Sequence, residues 1–465
     1  MPVTLCPGNV AGFSHDTRQA APILGWGPLF LQHPARVPSG MSTTSAPGTA
    51  APAHRARELH TQWLLEITQI PTVAGREERV VAWIRGWVAQ RPELELIEDS
   101  AGNLVVRPRL TWGAGRGSPV FITAHLDHPA FVVERVIGPG TIEIAFRGGV
   151  MDPYFERARV RLHSAAGAFG ATITGPGQGG AGGGAAGAPP VFKTYLAELD
   201  SPAPASIGDI VTWELPEAQI DGLGLVHTHA CDDLAALAAA LSAYDVLRGI
   251  VQAGSPTDVQ DVRLLFTRAE EIGFVGAIAA CKLETMPKGS RVIALENSRA
   301  FADSPIGGGP IVRVGDRMSI FTPRLTAACA RRAEQIANRP AQPTATRTQQ
   351  EIEAAAAMRW QRKLMAGGAC EATVFCAYGY DATCLCLPLG NYHNMSDLAA
   401  VQDGKWDTAA KGPPRVAREY IALADYNGMV DLLVAIGQDL PEADPALDKI
   451  EVLYATRAFV LKEGR

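Results

Sequence analysis

Histidine and carboxylate side chains stand at the ends of short apolar runs in this 465-residue sequence. His125 and Asp127, in the motif HLDH, close the run PVFITA, and alternation along an extended chain points both to one side. Glu296 ends the run RVIALE, where a carboxylate is costly unless it is paired or bound to a metal ion. These positions favour a metal site, although a hydrogen-bonded strand-end histidine explains His125 alone equally well.

Two pairs of adjacent acids each precede a helical pattern. Asp232 and Asp233 follow a cysteine in the motif CDD, and Glu270 and Glu271 directly follow the apolar run VRLLFT. Both pairs have a plain structural explanation, because acidic residues at a helix N-terminus are stabilised by the helix dipole. Adjacent glutamates also point in different directions, so that one can bind a metal ion while the other acts as a general base. An aspartate of the first pair could bridge two cations.

His393, in the loop motif PLGNYHNMSD, completes the set of candidates. Together the motifs supply two histidines and at least three carboxylates, all of them nitrogen or oxygen ligands. Such a set suits two divalent cations about 3.5–4 Å apart that share one bridging carboxylate. His227 and His229, in VHTHACDD, are interpreted as supporting or strand residues rather than ligands. The combination predicts a two-metal site more strongly than any single motif does.

The apolar runs that carry these residues predict the strands of a buried sheet. Such runs suit strands that are covered on both faces, and helical patterns at 232–250, at 271–284 and near the C-terminus separate them. The alternation predicts an α/β fold with a doubly wound mixed sheet. In open sheets of this kind ligands bind beyond the carboxyl ends of the strands, where four of the five motifs fall. The predicted strands span residues 119–125, 262–267, 291–296 and 382–389.

One region interrupts the alternation. Residues 131–223 show strand-like patches between Gly and Pro turns, which predict an inserted small all-β domain. The α/β catalytic domain would then comprise residues 56–130 and 224–465. Inside the insert, residues 175–190 are too rich in glycine for a stable element and predict a loop.

Two further segments lie outside the main pattern. Residues 322–367 predict two alanine-rich helices joined by a polar linker, packed beside the second half of the α/β domain. Residues 1–55 are rich in Pro, Ala, Ser, Thr and Gly, a composition that predicts a poorly ordered N-terminal extension.

Composition narrows the function classes. The formal net charge of -6 argues against general affinity for nucleic acid or for an anionic membrane surface. No apolar run has the length of a bilayer span. The eight cysteines form no CxxC pair, and most lie in apolar stretches, which predicts reduced thiols and a cytoplasmic location.

The sequence from about residue 56 to the C-terminus resembles the co-catalytic zinc exopeptidases, and most closely the glutamyl aminopeptidase family M42. The order of HLDHPAFVV, SIGDIVTW, ACDD and GGACEAT carries the resemblance, with the β insert between the first and third motifs. It implies that Asp232 bridges two metal ions, that His125 and Glu296 complete one site, and that Glu271 and His393 complete the other. Zinc is the expected metal, with cobalt or manganese as alternatives that such ligands also admit.

The resemblance also implies the catalytic roles. Glu270 would be the general base, Asp127 would orient His125, and the substrate would be a short peptide that loses its N-terminal residue. It further implies a homo-oligomer, with neither nucleic acid nor membrane as a partner.

Departures from the family pattern leave the substrate class open. Leu234 stands where an arginine is usual, and His128 and Pro129 replace an acid and a small residue. Glu296 is the ligand more often found in carboxypeptidases and deacylases of the wider clan, whose aminopeptidases usually have aspartate. The alternatives to an aminopeptidase are therefore a metal-dependent deacylase or carboxypeptidase and a non-catalytic binding or assembly protein.

Overall fold

A mixed eight-stranded sheet forms the centre of the fold in this computed structural model. The structure describes residues 50–113, 117–179, 192–254, 258–337, 358–440 and 445–462. From one edge to the other, its strands are β1 (Leu94–Glu98), β2 (Leu104–Pro108), β12 (Val262–Thr267), β3 (Val120–His125), β13 (Arg291–Arg299), β16 (Asp381–Leu389), β14 (Ile311–Gly315) and β15 (Gln361–Leu364). The four central strands run parallel, and they are β12 (Val262–Thr267), β3 (Val120–His125), β13 (Arg291–Arg299) and β16 (Asp381–Leu389). They coincide with the four apolar runs, which confirms the predicted fold class.

On each side of the four central strands, the next strand of the sheet runs antiparallel to them. The hairpin β1 (Leu94–Glu98) and β2 (Leu104–Pro108) pairs with β12, and β14 (Ile311–Gly315) pairs with β16. At the far edge, β15 (Gln361–Leu364) runs parallel to β14.

Helices cover both faces, so the central strands are buried on each side. Alternate residues of β3 face different cores: Ile122 and Ala124 pack with one helix layer, and Phe121 packs with the other. The first layer contains α1 (Ala50–Ile67), α2 (Glu78–Ala89), α3 (Leu234–Ala253), α5 (Pro323–Ala337) and α9 (Leu423–Gln438). The second contains α4 (Val275–Lys282) and α6 (Glu371–Ala377). The short helices α7 (Leu398–Gln402) and α8 (Thr408–Lys411) and the C-terminal α10 (Pro445–Arg457) complete the set.

Helix α3 is long and apolar enough to cross a membrane by length and composition. Its residues from Leu234 to Tyr244 are buried without exception, and it packs between the sheet and α9. These contacts are those of a core helix in an α/β fold.

A closed antiparallel barrel is inserted between β3 and α3. Its strand order is β4-β5-β8-β7-β6-β9. Aromatic rings fill the interior, with Phe131 in edge contact with Trp213 at a centroid distance of 4.9 Å. The barrel confirms that the inserted region is all-β. Its strands are β4 (Ala130–Gly138), β5 (Thr141–Arg147), β6 (Arg159–Ser164), β7 (Gly167–Pro176), β8 (Thr194–Leu199) and β9 (Ile210–Trp213).

A small three-stranded sheet lies where the chain returns from the barrel to the α/β domain. It consists of β10 (Gln219–Ile220), β11 (Leu225–Thr228) and β17 (Glu419–Ala422), all antiparallel. This sheet brings the C-terminal part of the chain next to the residues that precede α3.

The prediction of two helices over residues 322–367 is correct for the first helix and wrong for the last part of the range. Helix α5 occupies the first part, but Gln361–Leu364 forms β15, because pairing with β14 satisfies its backbone groups at the sheet edge. The buried Gln361 side chain adds a hydrogen bond of 2.9 Å to the carbonyl of Gly309. Residues 338–357 of this prediction lie outside the described residues.

Two other predictions fall largely outside the described part of the chain. They concern residues 1–49 of the N-terminal extension and residues 180–190 of the glycine-rich loop. Residues 50–55, which the extension was predicted to include, instead begin α1.

Candidate metal centre

The candidate residues meet at the carboxyl edge of the parallel strands. His125 is the last residue of β3, and Asp232 and Asp233 directly precede α3, joined by a cis peptide bond. Glu296 lies inside β13 rather than at its end, because that strand continues to Arg299. His393 sits in a single helical turn, Tyr392–Asn394, after β16.

Asp232 stands between two histidines. Its Oδ1 lies 3.3 Å from Nε2 of His125, and its Oδ2 lies 3.5 Å from Nε2 of His393. Glu296 Oε1 is 4.0 Å from the His125 nitrogen, and Glu271 Oε2 is 3.4 Å from the His393 nitrogen. The result is two buried groups that share one aspartate, with Asp233 as an additional member of the first.

The donor atoms of this cluster fit divalent cations. His125 Nε2, Asp232 Oδ1 and Glu271 Oε1 are buried and make no hydrogen bond to any described residue. Burial, followed by the charge of Asp232, raises the pKa of both Glu271 and Glu296 well above the usual range. Burial also opposes ionisation of Asp232, yet the two histidines hold its pKa below the usual value. Buried carboxylates crowded in this way are stabilised by a cation between them.

Both histidines are oriented by backbone carbonyls. The Nδ1 of His393 donates to the carbonyl oxygen of Gly149 at 2.6 Å, and the Nδ1 of His125 donates to that of Asp127 at 3.1 Å. Because a carbonyl can only accept, each Nε2 is left with its lone pair facing the cluster. Gly149 follows the barrel strand β5, so the insert holds one histidine of the α/β domain in place.

The carboxylate of Asp127 holds the two glutamates. It accepts the backbone N–H of Glu270 at 2.9 Å and that of Glu271 at 3.1 Å, and its Oδ1 is 3.7 Å from Nδ1 of His125. The backbone carbonyl of Asp127 therefore orients His125, and its carboxylate holds the turn that carries Glu270 and Glu271.

The helix-terminus explanation fails for the glutamate pair, whereas Asp233 does stand at a helix N-terminus. Helix α4 begins only at Val275, so Glu270 and Glu271 lie in the turn before it. Asp233 is at the N-cap of α3, but its side chain makes no capping hydrogen bond. The acids face the cluster instead, which is the arrangement a metal site requires.

The side chain of Glu270 lies beside the cluster but is not a member of the two groups that share Asp232. Its Oε2 lies 3.9 Å from Nε2 of His125, and its side chain is 9% exposed. Burial raises the pKa of this carboxyl well above its usual range. A buried carboxyl beside the ligands is placed to exchange a proton with a bound reactant.

Solved structures with the same architecture include several peptidases. An aminopeptidase from the archaeon Desulfurococcus kamchatkensis aligns with a TM-score of 0.61 at 17% identity, over 83% of this chain and 96% of that one. The TET1 peptidase of Pyrococcus horikoshii aligns with a TM-score of 0.58 at 19% identity, over 81% and 99%. The chain has the fold of the TET aminopeptidases.

The same fold also includes a Thermotoga maritima structure described as an endoglucanase, with a TM-score of 0.51 at 18% identity over 81% of this chain and 96% of that one. No protein-family model and no curated protein matches the sequence. At these identities the fold alone is established, and the chemistry has to be argued from the site.

Within this aminopeptidase fold, sequence reasoning missed Glu419. The residue begins β17 and is fully buried. Its Oε2 accepts the backbone N–H groups of Cys231 at 2.6 Å and Asp232 at 3.0 Å, and its Oε1 accepts that of His393 at 2.8 Å. The available signal was an acid at the start of an apolar pattern, EYIALA, which belongs to the helical pattern predicted near the C-terminus.

His128, noted as a departure from the family pattern, is a buried neighbour of the cluster. Its Nδ1 donates to the backbone carbonyl of Asp232, and its Nε2 lies 3.0 Å from the side-chain oxygen of Asn394. Burial lowers the pKa of His128 to about 4.

His227 and His229 contact other residues. His227 Nε2 lies 2.9 Å from Asp221 Oδ2, and His229 Nε2 donates to the carbonyl of Pro216 at 2.8 Å. Neither is among the buried metal-site-like groups of the described residues, in keeping with their interpretation as supporting residues.

Proposed function

We propose that this chain is a two-metal aminopeptidase that removes N-terminal residues from short peptides. The observation that carries the proposal is the placement of Asp232, whose two carboxylate oxygens face His125 and His393 at 3.3 and 3.5 Å. A carboxylate that offers one oxygen to each of two ligand groups would suit the shared ligand of two divalent cations. His125 and Glu296 would complete the first site, and Glu271 and His393 the second.

Two divalent cations, with zinc as the expected metal and cobalt or manganese as alternatives, would supply Lewis acidity that acidifies a water molecule and polarises the scissile carbonyl. Glu270 is the residue placed to move the proton. Its carboxylate would take a proton from the attacking water and deliver it to the leaving amine. Asp127 keeps Glu270 in position through the 2.9 Å hydrogen bond to its backbone N–H. Burial raises the pKa of Glu270 above its usual range, which strengthens this carboxylate as the acceptor of that proton.

A second candidate is a deacylase or carboxypeptidase that uses the same centre. The observation in its favour is Glu296, the longer carboxylate at the first site. Both candidates share the ligands and the general base, and they differ in whether the substrate presents a free α-amine or a free α-carboxylate.

A substrate panel separates the two. Purified full-length chain, loaded in turn with zinc, cobalt and manganese, is assayed on aminoacyl anilides and on N-acyl amino acids. The aminopeptidase proposal expects release of anilide from free-amine substrates and little hydrolysis of the acylated ones. The reverse pattern would establish the deacylase or carboxypeptidase. A chain that retains no metal and hydrolyses neither class would be a non-catalytic relative.

Assembly and location are part of the same proposal. The Pyrococcus horikoshii relative is described as assembling into a tetrahedron or a large octahedral shell, and we infer a homo-oligomer for this chain as well. A cytoplasmic location is supported by the seven described cysteines, which are free thiols, six of them buried.

A further inference from the structure

The C-terminal helix α10 and the short turn after it expose an unusual amount of apolar surface. Eight large apolar side chains in this segment are each between 48% and 64% exposed. Three of them lie on one face of the helix at i, i+3, i+4 spacing, namely Ile450, Leu453 and Tyr454. The others are Leu447 and Val452 in the helix and Phe459, Val460 and Leu461 in the turn Ala458–Lys462.

This exposure is large for a single chain. If each side chain offers about 150 Å² when fully exposed, the segment presents on the order of 700 Å² of apolar surface. The largest apolar patch on a typical monomer is about 300–600 Å², and such patches mark interaction sites. A standard interface covers about 800 Å² on each partner, of which somewhat more than half is apolar. The segment thus matches the apolar share of one side of a stable interface.

The helix also needs a partner to be stable. Helix α10 has 13 residues, and an isolated helix of that length is marginal in water without packing of an apolar face. Within the described residues it packs mainly against α5 and the following turn. The stripe of Ile450, Leu453 and Tyr454 remains on the surface.

The charge pattern selects the kind of partner. Helices that lie on anionic membranes are basic on their polar face. The sequence of α10 contains two acids, Asp448 and Glu451, and two bases, Lys449 and Arg457, so it carries no net charge. A second copy of the same helix offers a matching apolar stripe and the same balanced charges, which two-fold pairing can place acid against base.

We propose that the segment 445–462 is a self-association surface through which two copies of this chain pack together. The apolar stripe of one α10 lies against that of the other, and the residues of the following turn extend the contact. The proposal is independent of the catalytic one, because its readout is the mass of the particle and not activity.

The test compares full-length variants by light scattering after size exclusion, between about 1 and about 100 μM, a range that covers typical weak to moderate self-association. The triple variant I450E/L453E/Y454E places three charges in the stripe. Its matched control is L110E/I207E/L223E, which alters three apolar residues that are more exposed but lie outside α10. A second test chain ends at residue 440 and lacks the segment.

The wild type and the control are expected to give particles of two or more chains, whereas the triple variant and the shortened chain give particles with at least half the mass lost. The shortened chain decides the outcome if the triple variant does not fold, as judged by its circular dichroism. A monomeric wild type throughout the range would overturn the proposal, as would unchanged assembly of the shortened chain. Binding of a monomeric wild type to phosphatidylserine vesicles would also overturn it in favour of a membrane role.

Discussion

The carboxylate of Glu419 accepts the backbone N–H of His393 at 2.8 Å with one oxygen and that of Asp232 at 3.0 Å with the other. A single buried acid on a separate strand therefore ties together two segments that carry ligands to the proposed second metal site. Hydrogen-bonding partners behind metal ligands commonly set the affinity of the site.

Replacement of Glu419 with Gln is expected to weaken metal binding about 10–100-fold. The amide nitrogen of glutamine cannot accept a hydrogen bond, so one of the backbone N–H groups loses its partner. Metal affinity is measured by competition with a chromogenic chelator. The exposed Glu156 provides the matched variant, Glu156→Gln, which should bind metal as the wild type does. Equal affinities for the two variants would show that Glu419 has no influence on the site.

Replacement of Glu270 with Gln is expected to lower kcat about 10²–10⁴-fold while the metal content stays unchanged. The amide keeps the shape of the side chain but cannot take a proton from water. In the comparison variant, Glu271→Gln, metal content should fall as well, because Glu271 lies 3.4 Å from the His393 nitrogen. The measurement pairs steady-state kinetics with elemental analysis. Loss of metal from the Glu270 variant would make this residue a ligand rather than the base.

Removal of metal by a chelator is expected to destabilise the fold. Without cations, the crowded carboxylates of Asp232, Glu271 and Glu296 repel one another in a buried site. A metal ion present at 100 times its dissociation constant contributes about 2.7 kcal/mol to the free energy of unfolding. Thermal unfolding is followed before chelation, after it, and after zinc, cobalt or manganese is returned.

A His393→Ala variant serves as the reference for chelation, because it lacks one ligand from the start. Its unfolding temperature should change less on chelation than that of the wild type. The metal-site assignment fails if chelation leaves the unfolding of both proteins unchanged.

Asp425 gives the fold a pH dependence away from the metal centre. Burial raises its pKa to about 6, against the hydrogen bonds that it accepts from the backbone of Gly307 and Gly309. Because the folded-state pKa exceeds the unfolded one, the contribution is fully present below about pH 4 and is lost as pH rises through 6. A shift of this size corresponds to about 3 kcal/mol.

The variant Asp425→Asn cannot ionise and should lack this loss. The difference in unfolding free energy between wild type and variant is therefore expected to move in the variant's favour by about 3 kcal/mol between pH 4 and pH 7.5. An exposed aspartate, altered as Asp403→Asn, is the control. A difference that does not depend on pH would mean that Asp425 titrates normally in the folded protein.

Local patterns in the sequence predict the central sheet well, since strands buried on both faces require continuous apolar runs. They also predict which ends of those strands carry His125, Glu270 and Glu271, because parallel strands share a carboxyl edge. His125 and Glu296 lie on one side of Asp232, and His393 lies on the other. This grouping results from the whole fold and not from a local pattern. Their roles as ligands remain predictions.

The remainder depends on contacts between distant segments. Glu419 reaches Asp232 from 187 positions along the chain, and no local pattern encodes that approach. Helix α4 starts later than its apolar periodicity suggests, because Ala269 and Phe274 adopt positive φ values of 54° and 60°. The edge strand at Gln361 forms because a neighbouring strand is available to pair with it, which overrides local propensity.

The order of the centre along the chain has a consequence for synthesis on the ribosome. His125 is made first, the whole barrel follows, and the two groups around Asp232 remain incomplete until His393 and Glu419 have left the exit tunnel. A shortened product that stops before His393 lacks at least one of the five proposed ligands. If the centre cleaves peptides, a nascent chain acquires that activity only after Glu419 has been translated.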